Sequence, residues 1–344
     1  MTGTIPLTMK AWLYSSAGKL DEILKLEPKA RMPPVVPLKP NQLLIQTISA
    51  SINPADYKMP EMGSLLLRLF FSSFPISPGT DFCGRVAAVG STAGSSFKTG
   101  DIVYGCIWKP TRFGSLAEYL VCNSDQAVAL PDGVDPDIAS TVGVAGQTAY
   151  QSIVPYVQSG DNVFITAGSG GCGTYAIQLA KILGCHVTTT CSGKNVQYLK
   201  DLGADEVIDY TAQDVVGTLK SEGKKYSHVA DFVGLPSNLY KESHHFLIPG
   251  KVFMQAFGAS PSMLSMIDRM LRPAILGGGR SKFRTVMIHN SHQDMAKLGE
   301  YIKANKIKVN FDGVYDFEDV PKAFKRLESG RTRGKIVIHV SEKP

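Results

Sequence analysis

The feature that most constrains this chain is a run of glycines, Gly168-Ser169-Gly170-Gly171-Cys172-Gly173. It sits between an apolar strand-like segment, Asn162–Ala167, and a segment with apolar residues at 176, 177, 179, 180 and 183. G-x-G-x-x-G alone is a weak signal, but between a strand and a helix it has a mechanism. The first glycine makes the tight turn, the second lets backbone approach a pyrophosphate, and the third lets helix and strand pack closely. The helix N-terminus then offers N–H groups to the anion. All six residues are expected to bind a dinucleotide; the alternative is a glycine-rich turn without a ligand.

The residues after the next strand bear on which dinucleotide. An NAD site places Asp or Glu there against the ribose 2′-hydroxyl. Here His186–Thr190 is followed by Cys191-Ser192-Gly193-Lys194. A hydroxyl and a cation suit a 2′-phosphate, and Tyr210 follows the third strand. NADPH held by Ser192, Lys194 and Tyr210 is therefore expected. The competing reading makes Lys194 a solvated surface residue.

Around the fingerprint the pattern alternates. Strands are expected at Asn162–Ala167, His186–Thr190, Glu206–Ile208, Val229–Val233, Lys251–Ala256 and Thr285–Ile288, with helices at Gly171–Leu183 and Val196–Leu202. Such alternation implies βαβ units and a parallel sheet. Asp137–Tyr156 reads as helix in two pieces around Gly143 and Gly146. The first third is different: short strand candidates separated by Gly and Pro imply a sheet folded on itself. Helices at His292–Asn305 and Val320–Leu327 precede a last strand, Lys335–Val340, which is expected to return to the N-terminal sheet.

At 344 residues, 44% hydrophobic and 19% charged, the chain can bury the cores of two domains. Its net charge of +6 is spread without a run of five or six Lys/Arg, which argues against nucleic acid. Leu65–Phe74, the longest apolar patch, falls short of the ~20 residues of a membrane helix. It reads as a core helix or as the lid of a large apolar pocket. Met1–Leu13 lacks the pattern of a signal peptide, so a cytoplasmic location is expected. The six cysteines form no CxxC pair, so no structural zinc lobe is expected.

Several motifs occur in order: Asn53-Pro54-Ala55-Asp56, Pro78-Gly79-Thr80-Asp81-Phe82-Cys83-Gly84, Gly100-Asp101-Ile102-Val103-Tyr104-Gly105, Gly114-Ser115-Leu116-Ala117-Glu118-Tyr119, Gly146-Gln147-Thr148-Ala149-Tyr150, the Gly168–Gly173 fingerprint, and Leu202-Gly203-Ala204-Asp205 leading to Asp209-Tyr210. Together they resemble the quinone oxidoreductase branch of the medium-chain dehydrogenases/reductases over about residues 9–340. The resemblance implies an α/β protein: a GroES-like β-rich catalytic domain (1–132 and 291–344) and a Rossmann domain with a doubly wound parallel sheet (133–290), with nicotinamide and substrate in the cleft between them. It places Asn53, Thr148, Phe257 and Gly258 near the nicotinamide. Arg331 and Arg333 would approach the 2′-phosphate or simply be solvated.

Two departures from the zinc-dependent branch stand out. Asn53 replaces a ligand cysteine, and Gly79-Thr80-Asp81 replaces Gly-His-Glu, so no catalytic zinc is expected. Without that Lewis acid, reduction of an electron-poor acceptor remains: a quinone or an α,β-unsaturated carbonyl. Tyr57 and Lys58 are the candidate catalytic donors to the acceptor oxygen, a packing or surface role being the alternative. The Met- and Leu-rich stretch Met263–Leu276 is open between a homodimer contact and a cleft wall. Competing functions are a trans-acting enoyl reductase on carrier-bound chains and a non-catalytic nucleotide-binding protein.

Overall fold

The structure, a computed structural model, describes residues 5–33, 37–63, 74–107, 112–256, 268–269 and 278–342. Three expectations therefore lie wholly or largely outside the described residues: the apolar segment over 65–73, Phe257-Gly258, and nearly all of Met263–Leu276. The chain forms two compact units. The first joins Met1–Gln147, His289–Asn305 and Asn310–Pro344; the second joins Thr148–Ile288 and Lys306–Val309.

The strands run, in chain order, β1 (Thr8–Leu13), β2 (Lys25–Arg31), β3 (Gln42–Ile52), β4 (Asp81–Val89), β5 (Ile102–Cys106), β6 (Tyr119–Asn123), β7 (Ala127–Ala129), β8 (Asn162–Ile165), β9 (His186–Cys191), β10 (Glu206–Asp209), β11 (Tyr226–Asp231), β12 (Leu247–Ala256), β13 (Lys282–Val286), β14 (Phe311–Asp316) and β15 (Lys335–His339). In the first unit β1 and β2 pair with each other, and seven strands form the main sheet in the order β14-β15-β3-β4-β5-β7, with β6 also on β3. β3 is buried almost throughout because β15, β4 and β6 all pair with it. β15 does return to the N-terminal sheet, antiparallel to β3 with Ile336 opposite Ile52.

Alternating side chains of this sheet feed two cores. Leu43, Ile45, Phe82, Val86 and Leu120 belong to one; Ala50, Ile52, Ile336 and Ile338 join Trp12, Phe317 and Phe324 in the other. Trp12 Nε1 donates to Phe317 O at 2.7 Å, so this buried indole is satisfied. The last helix, Val320–Glu328, buries Val320, Ala323, Phe324 and Leu327, one face at helical spacing.

Residues 133–147 cluster with the first unit, whereas the sequence reading grouped them with the nucleotide-binding part. The reason is polar anchoring. Asp137, on the short helix Pro136–Ala139, accepts from Ser49 Oγ at 2.5 Å and meets His339 Nε2 at 2.8 Å. The expected break around Gly143 and Gly146 is a π turn over Val142–Gly146, followed by the helix Gln147–Ile153. Gln147 closes the turn onto the returning chain: its Nε2 donates to Gly143 O and Asn290 Oδ1, and its Oε1 accepts from Ser291 N.

The second unit is a six-stranded parallel sheet in the order β10-β9-β8-β11-β12-β13. That order, reversing direction between β8 and β11, is the doubly wound Rossmann arrangement. Helices Gly171–Ile182, Val196–Asp201 and Val215–Ser221 follow β8, β9 and β10. Among the described residues no helix is long and apolar enough to cross a membrane.

One buried group in this sheet makes stability depend on acid. His228 on β11 is 1% exposed, donates Nε2–H to Ser152 O at 2.8 Å, and stacks on Tyr156 with centroids 5.3 Å apart. Burial holds it neutral and lowers its pKa from 6.5 to about 4. The unfolded chain takes up this proton near pH 6.5 while the folded protein refuses it until about 4. The stabilisation is therefore complete above 6.5 and lost as pH falls toward 4, by about 3 kcal/mol in all. Urea denaturation across this window should show that slope, and His228→Gln should flatten it. An unchanged slope in the variant would remove His228 as its source.

Candidate functional site

The glycine turn leaves β8 through Ala167, which holds a left-handed conformation at φ 52°. Ala167 N donates to Thr190 Oγ1 and Gly168 N to Thr190 O, tying the turn to the end of β9. A Cβ on Gly173 would lie 2.3 Å from Ala167 O, and one on Gly168 2.3 Å from Thr189 Oγ1. Gly173 is required by the close approach of helix and turn, and Gly168 by the close approach of β9. Gly170 differs: it sits at the N-cap of Gly171–Ile182, and its Cβ would meet nothing nearer than Ala167 O at 3.4 Å. Space is kept there although the fold does not demand it.

Asn195, which the sequence reading passed over, connects this turn to the next. Its Nδ2 donates to Ser169 Oγ at 3.2 Å and reaches Ser192 Oγ at 3.5 Å. Ser169 and Ser192, expected from separate motifs, thus share one buried amide. Lys194 is exposed beside them, and Tyr210, 56% exposed, donates its N–H to Cys191 O. An acid is close as well. Asp209 lies against Gly193, where a Cβ would be 2.5 Å from Oδ2. Its carboxyl is held below the usual range, first by the hydroxyl of Thr211 and then by backbone N–H groups. Thr148 is buried at the start of the second unit, its carbonyl accepting from Ser152 Oγ.

The first unit gathers a second set of polar groups, almost entirely out of water. Asn53 caps the helix Pro54–Glu61 with Pro54 in the first turn, and its N–H donates to Asp56 Oδ2 at 2.7 Å. Its side chain faces elsewhere. Asn53 Nδ2 donates to Asp81 Oδ2 at 2.9 Å and reaches Thr80 Oγ1 at 3.4 Å, while Oδ1 accepts from Lys335 Nζ at 2.5 Å. Lys335 Nζ lies 3.5 Å from Asp81 Oδ2 and also donates to Ile52 O at 3.3 Å. Asp81 Oδ1 accepts from Val144 N at 2.8 Å, which brings the π turn onto the cluster. Gly143 must be glycine here, because a Cβ would fall 2.2 Å from that oxygen.

Burial dominates the electrostatics. It pushes Asp56 up to about 7, opposed by the Asn53 N–H and helped by the charge of Asp81. Burial also raises Asp81, with Lys335 and the Asn53 amide pulling the other way. The Cys106 thiol, hydrogen-bonded to Asp81, is driven well up by burial and by that carboxylate.

The candidate donors read from sequence lie on the same helix as Asp56. Tyr57 packs against the core of Trp12, Tyr14 and Phe324, and its pKa is raised by burial, then by Glu328 and Glu61. Lys58 is exposed. Arg331 and Arg333 are exposed in the first unit, next to the Asp312–Arg326 ion pair. Asp56 was findable from its capping-box spacing after Asn53; Lys335 and Cys106 carry no local signal.

Residues 39–132 match the alcohol dehydrogenase GroES-like domain, and residues 202–338 match the zinc-binding dehydrogenase family. The chain is 39% identical to the trans-enoyl reductase pgmF of Aspergillus terreus, covering 99% of both chains. It belongs to the medium-chain dehydrogenase/reductase superfamily. A quinone-oxidoreductase homolog of Spinacia oleracea chloroplasts is 33% identical over 96% of this chain and 98% of its own. The quinone oxidoreductase from Coxiella burnetii superposes with a TM-score of 0.84 at 27% identity, covering 97% and 99% of the two chains. This is an oxidoreductase fold of the quinone-oxidoreductase-like type.

The matched family's description raises zinc, and the residues do not fit it. Among the described residues no group of three His, Cys, Asp or Glu side chains could hold a metal ion. The positions concerned offer an amide, a hydroxyl and one carboxylate, and an ammonium already lies 3.5 Å from that carboxylate. A divalent cation there would face a like charge, and the thiol beside it, Cys106, is kept protonated by burial and by Asp81.

Proposed function

We propose that this protein uses NADPH to reduce the activated double bond of an α,β-unsaturated carbonyl or a quinone, without zinc. The observation that carries the reading is the join made by Asn195: one buried amide fixes Ser169 of the glycine turn and Ser192 beside Lys194. The end of β9 thus offers hydroxyls and a cation where an NAD site has its acid. The nearby acid, Asp209, is engaged by Thr211.

Bound NADPH supplies a hydride at nicotinamide C4. The chain's own work is to orient and to stabilise the charge that develops on the acceptor oxygen. We assign that stabilisation to Thr80, whose hydroxyl accepts from Asn53, in preference to Tyr57 and Lys58. Among the cluster's side chains Thr80 is partly exposed while Asn53, Asp81 and Lys335 are buried.

A second reading is favoured by the 39% identity to a trans-enoyl reductase: the enone is a thioester carried on another protein. Free and carrier-bound forms of one enoyl thioester separate the two. A preference for the carried form supports the second reading, and equal rates support the first.

Nicotinamide fluorescence tests the cofactor half. NADPH should bind at least about tenfold tighter than NADH, and Lys194→Ala should erase most of that difference while leaving NADH affinity in place. If neither nucleotide binds at millimolar concentration, the oxidoreductase reading fails and a binding role replaces it.

A further inference from the structure

We infer that Lys335 is a positioning residue for this reduction: its buried ammonium is the fixed cation of the first unit's polar cluster, and it pins the Asn53 amide in the orientation that supports Thr80. The inference rests on the proposed reduction for its catalytic meaning and on geometry for the rest.

An asparagine amide has two orientations that occupy nearly the same space, and its neighbours choose between them. Here the choice is over-determined. Oδ1 faces the Lys335 ammonium and Nδ2 faces the Asp81 carboxylate. Reversing the amide would set Nδ2 against an ammonium and Oδ1 against a carboxylate, two repulsions in a site where both ions are at most 4% exposed. Held this way, the amide directs N–H toward Thr80 Oγ1 at 3.4 Å. A hydroxyl that accepts keeps its own O–H to donate, so the orientation set by Lys335 frees the Thr80 proton for an incoming oxygen. Lys335 touches neither cofactor nor acceptor in this scheme. It acts through Asn53.

The lysine also balances charge. The groups facing it are Asp81 on β4, Asp56 on the helix Pro54–Glu61, and the Cys106 thiol at the end of β5; Tyr14, at the end of β1, lies in turn in the field of Asp56. Two carboxyls and one ammonium cannot all be compensated, so removing the ammonium makes ionising even one carboxyl costly. The carboxyl pKa values then rise further above their unfolded values. A carboxyl raised in this way adds no penalty below its unfolded pKa; the penalty grows as pH rises from there and is complete above the folded pKa. Loss of Lys335 is thus tolerated in acid and punished as pH rises.

The test compares the wild-type protein with Lys335→Met, Lys335→Arg and the neutral pair Lys335→Met/Asp81→Asn. Urea denaturation at several pH values should show the Lys335→Met deficit growing from pH 5 to pH 8.5, about tenfold or more in the unfolding equilibrium constant. Lys335→Arg should largely remove it, and in the neutral pair the deficit relative to wild type should grow much less with pH than in Lys335→Met. For turnover, Lys335→Met should lower kcat about tenfold with NADPH affinity within about twofold of wild type, and Lys335→Arg should recover most of it. A stability deficit equal at every pH would reduce Lys335 to packing and overturn the inference, as would unchanged kcat in Lys335→Met. If the wild-type protein reduces neither enones nor quinones, the proposed function falls, and the pH dependence alone then decides the charge role. If Lys335→Met does not fold at all, the neutral pair decides: recovery upholds the charge role and continued failure overturns it.

Discussion

Asp81→Ala is expected to cost the fold about 3–5 kcal/mol, the size seen when one partner of a buried ion pair is removed. The loss has three parts. Lys335 is left with its ammonium 4% exposed and without its ion-pair partner. Asn53 Nδ2 loses the better of its acceptors, at 2.9 Å, and Val144 N loses its only side-chain acceptor in the described structure, at 2.8 Å. The wild-type pair does not contribute that amount; most of the penalty belongs to the uncompensated charge. Asp81→Asn should cost less, since its oxygen can still accept from Val144. Urea denaturation at neutral pH measures both. A cost below about 1 kcal/mol for Asp81→Ala would mean that the ammonium reaches water without it.

The other large effect separates fold from ligand within one turn. Gly173→Ala puts a methyl 2.3 Å from Ala167 O, 2.7 Å from Gly168 Cα and 2.8 Å from Gly168 O, all of them backbone. The helix must move, at a cost of about 1–3 kcal/mol or more, and nucleotide affinity should fall about a hundredfold because the turn moves with it. Gly170→Ala meets only Ala167 O at 3.4 Å, and its φ of −80° suits alanine. Its stability should stay within about 0.5 kcal/mol of wild type, while NADPH affinity still drops about tenfold, since the proposed site has backbone and pyrophosphate approach here. Thermal denaturation and nicotinamide fluorescence on the same samples give both numbers. If Gly170→Ala binds as wild type does, the pyrophosphate is not at this glycine.

Local patterns told most of the second unit. β8, β9 and the helix Gly171–Ile182 were visible because strand and helix periods switch at the glycines. β2 and β14 were not, since Lys25–Arg31 (KLEPKAR) is a largely exposed strand and Phe311–Asp316 (FDGVYD) a half-buried one, neither with apolar alternation. The glycine turn was legible for the same reason as its fold: its residues are neighbours in sequence. The polar cluster was legible only in part. Asn53 and Asp81 drew attention as departures from a pattern, but Lys335 opens a strand, Lys335–His339, where a lysine reads as solvated. Nothing within that segment reports a carboxylate more than 250 positions earlier in the chain.

The same distance gives the first unit an order of assembly. Its sheet is completed by β15, which follows the entire second unit in sequence. As the polypeptide is made, the stretch through Gln147 emerges with Asp56 and Asp81 but without Lys335, while the continuous core of the second unit, Thr148–Ile288, emerges complete. The parallel sheet of the second unit can therefore close during synthesis. The first unit must wait for β15, a closure across the whole intervening chain that is slow by its loop entropy. Until then two acids await burial without their cation, which favours keeping that region open. A ribosome that stops before β15 would release a chain with one finished half and one unfinished half, and the unfinished half would be the natural mark for a protease.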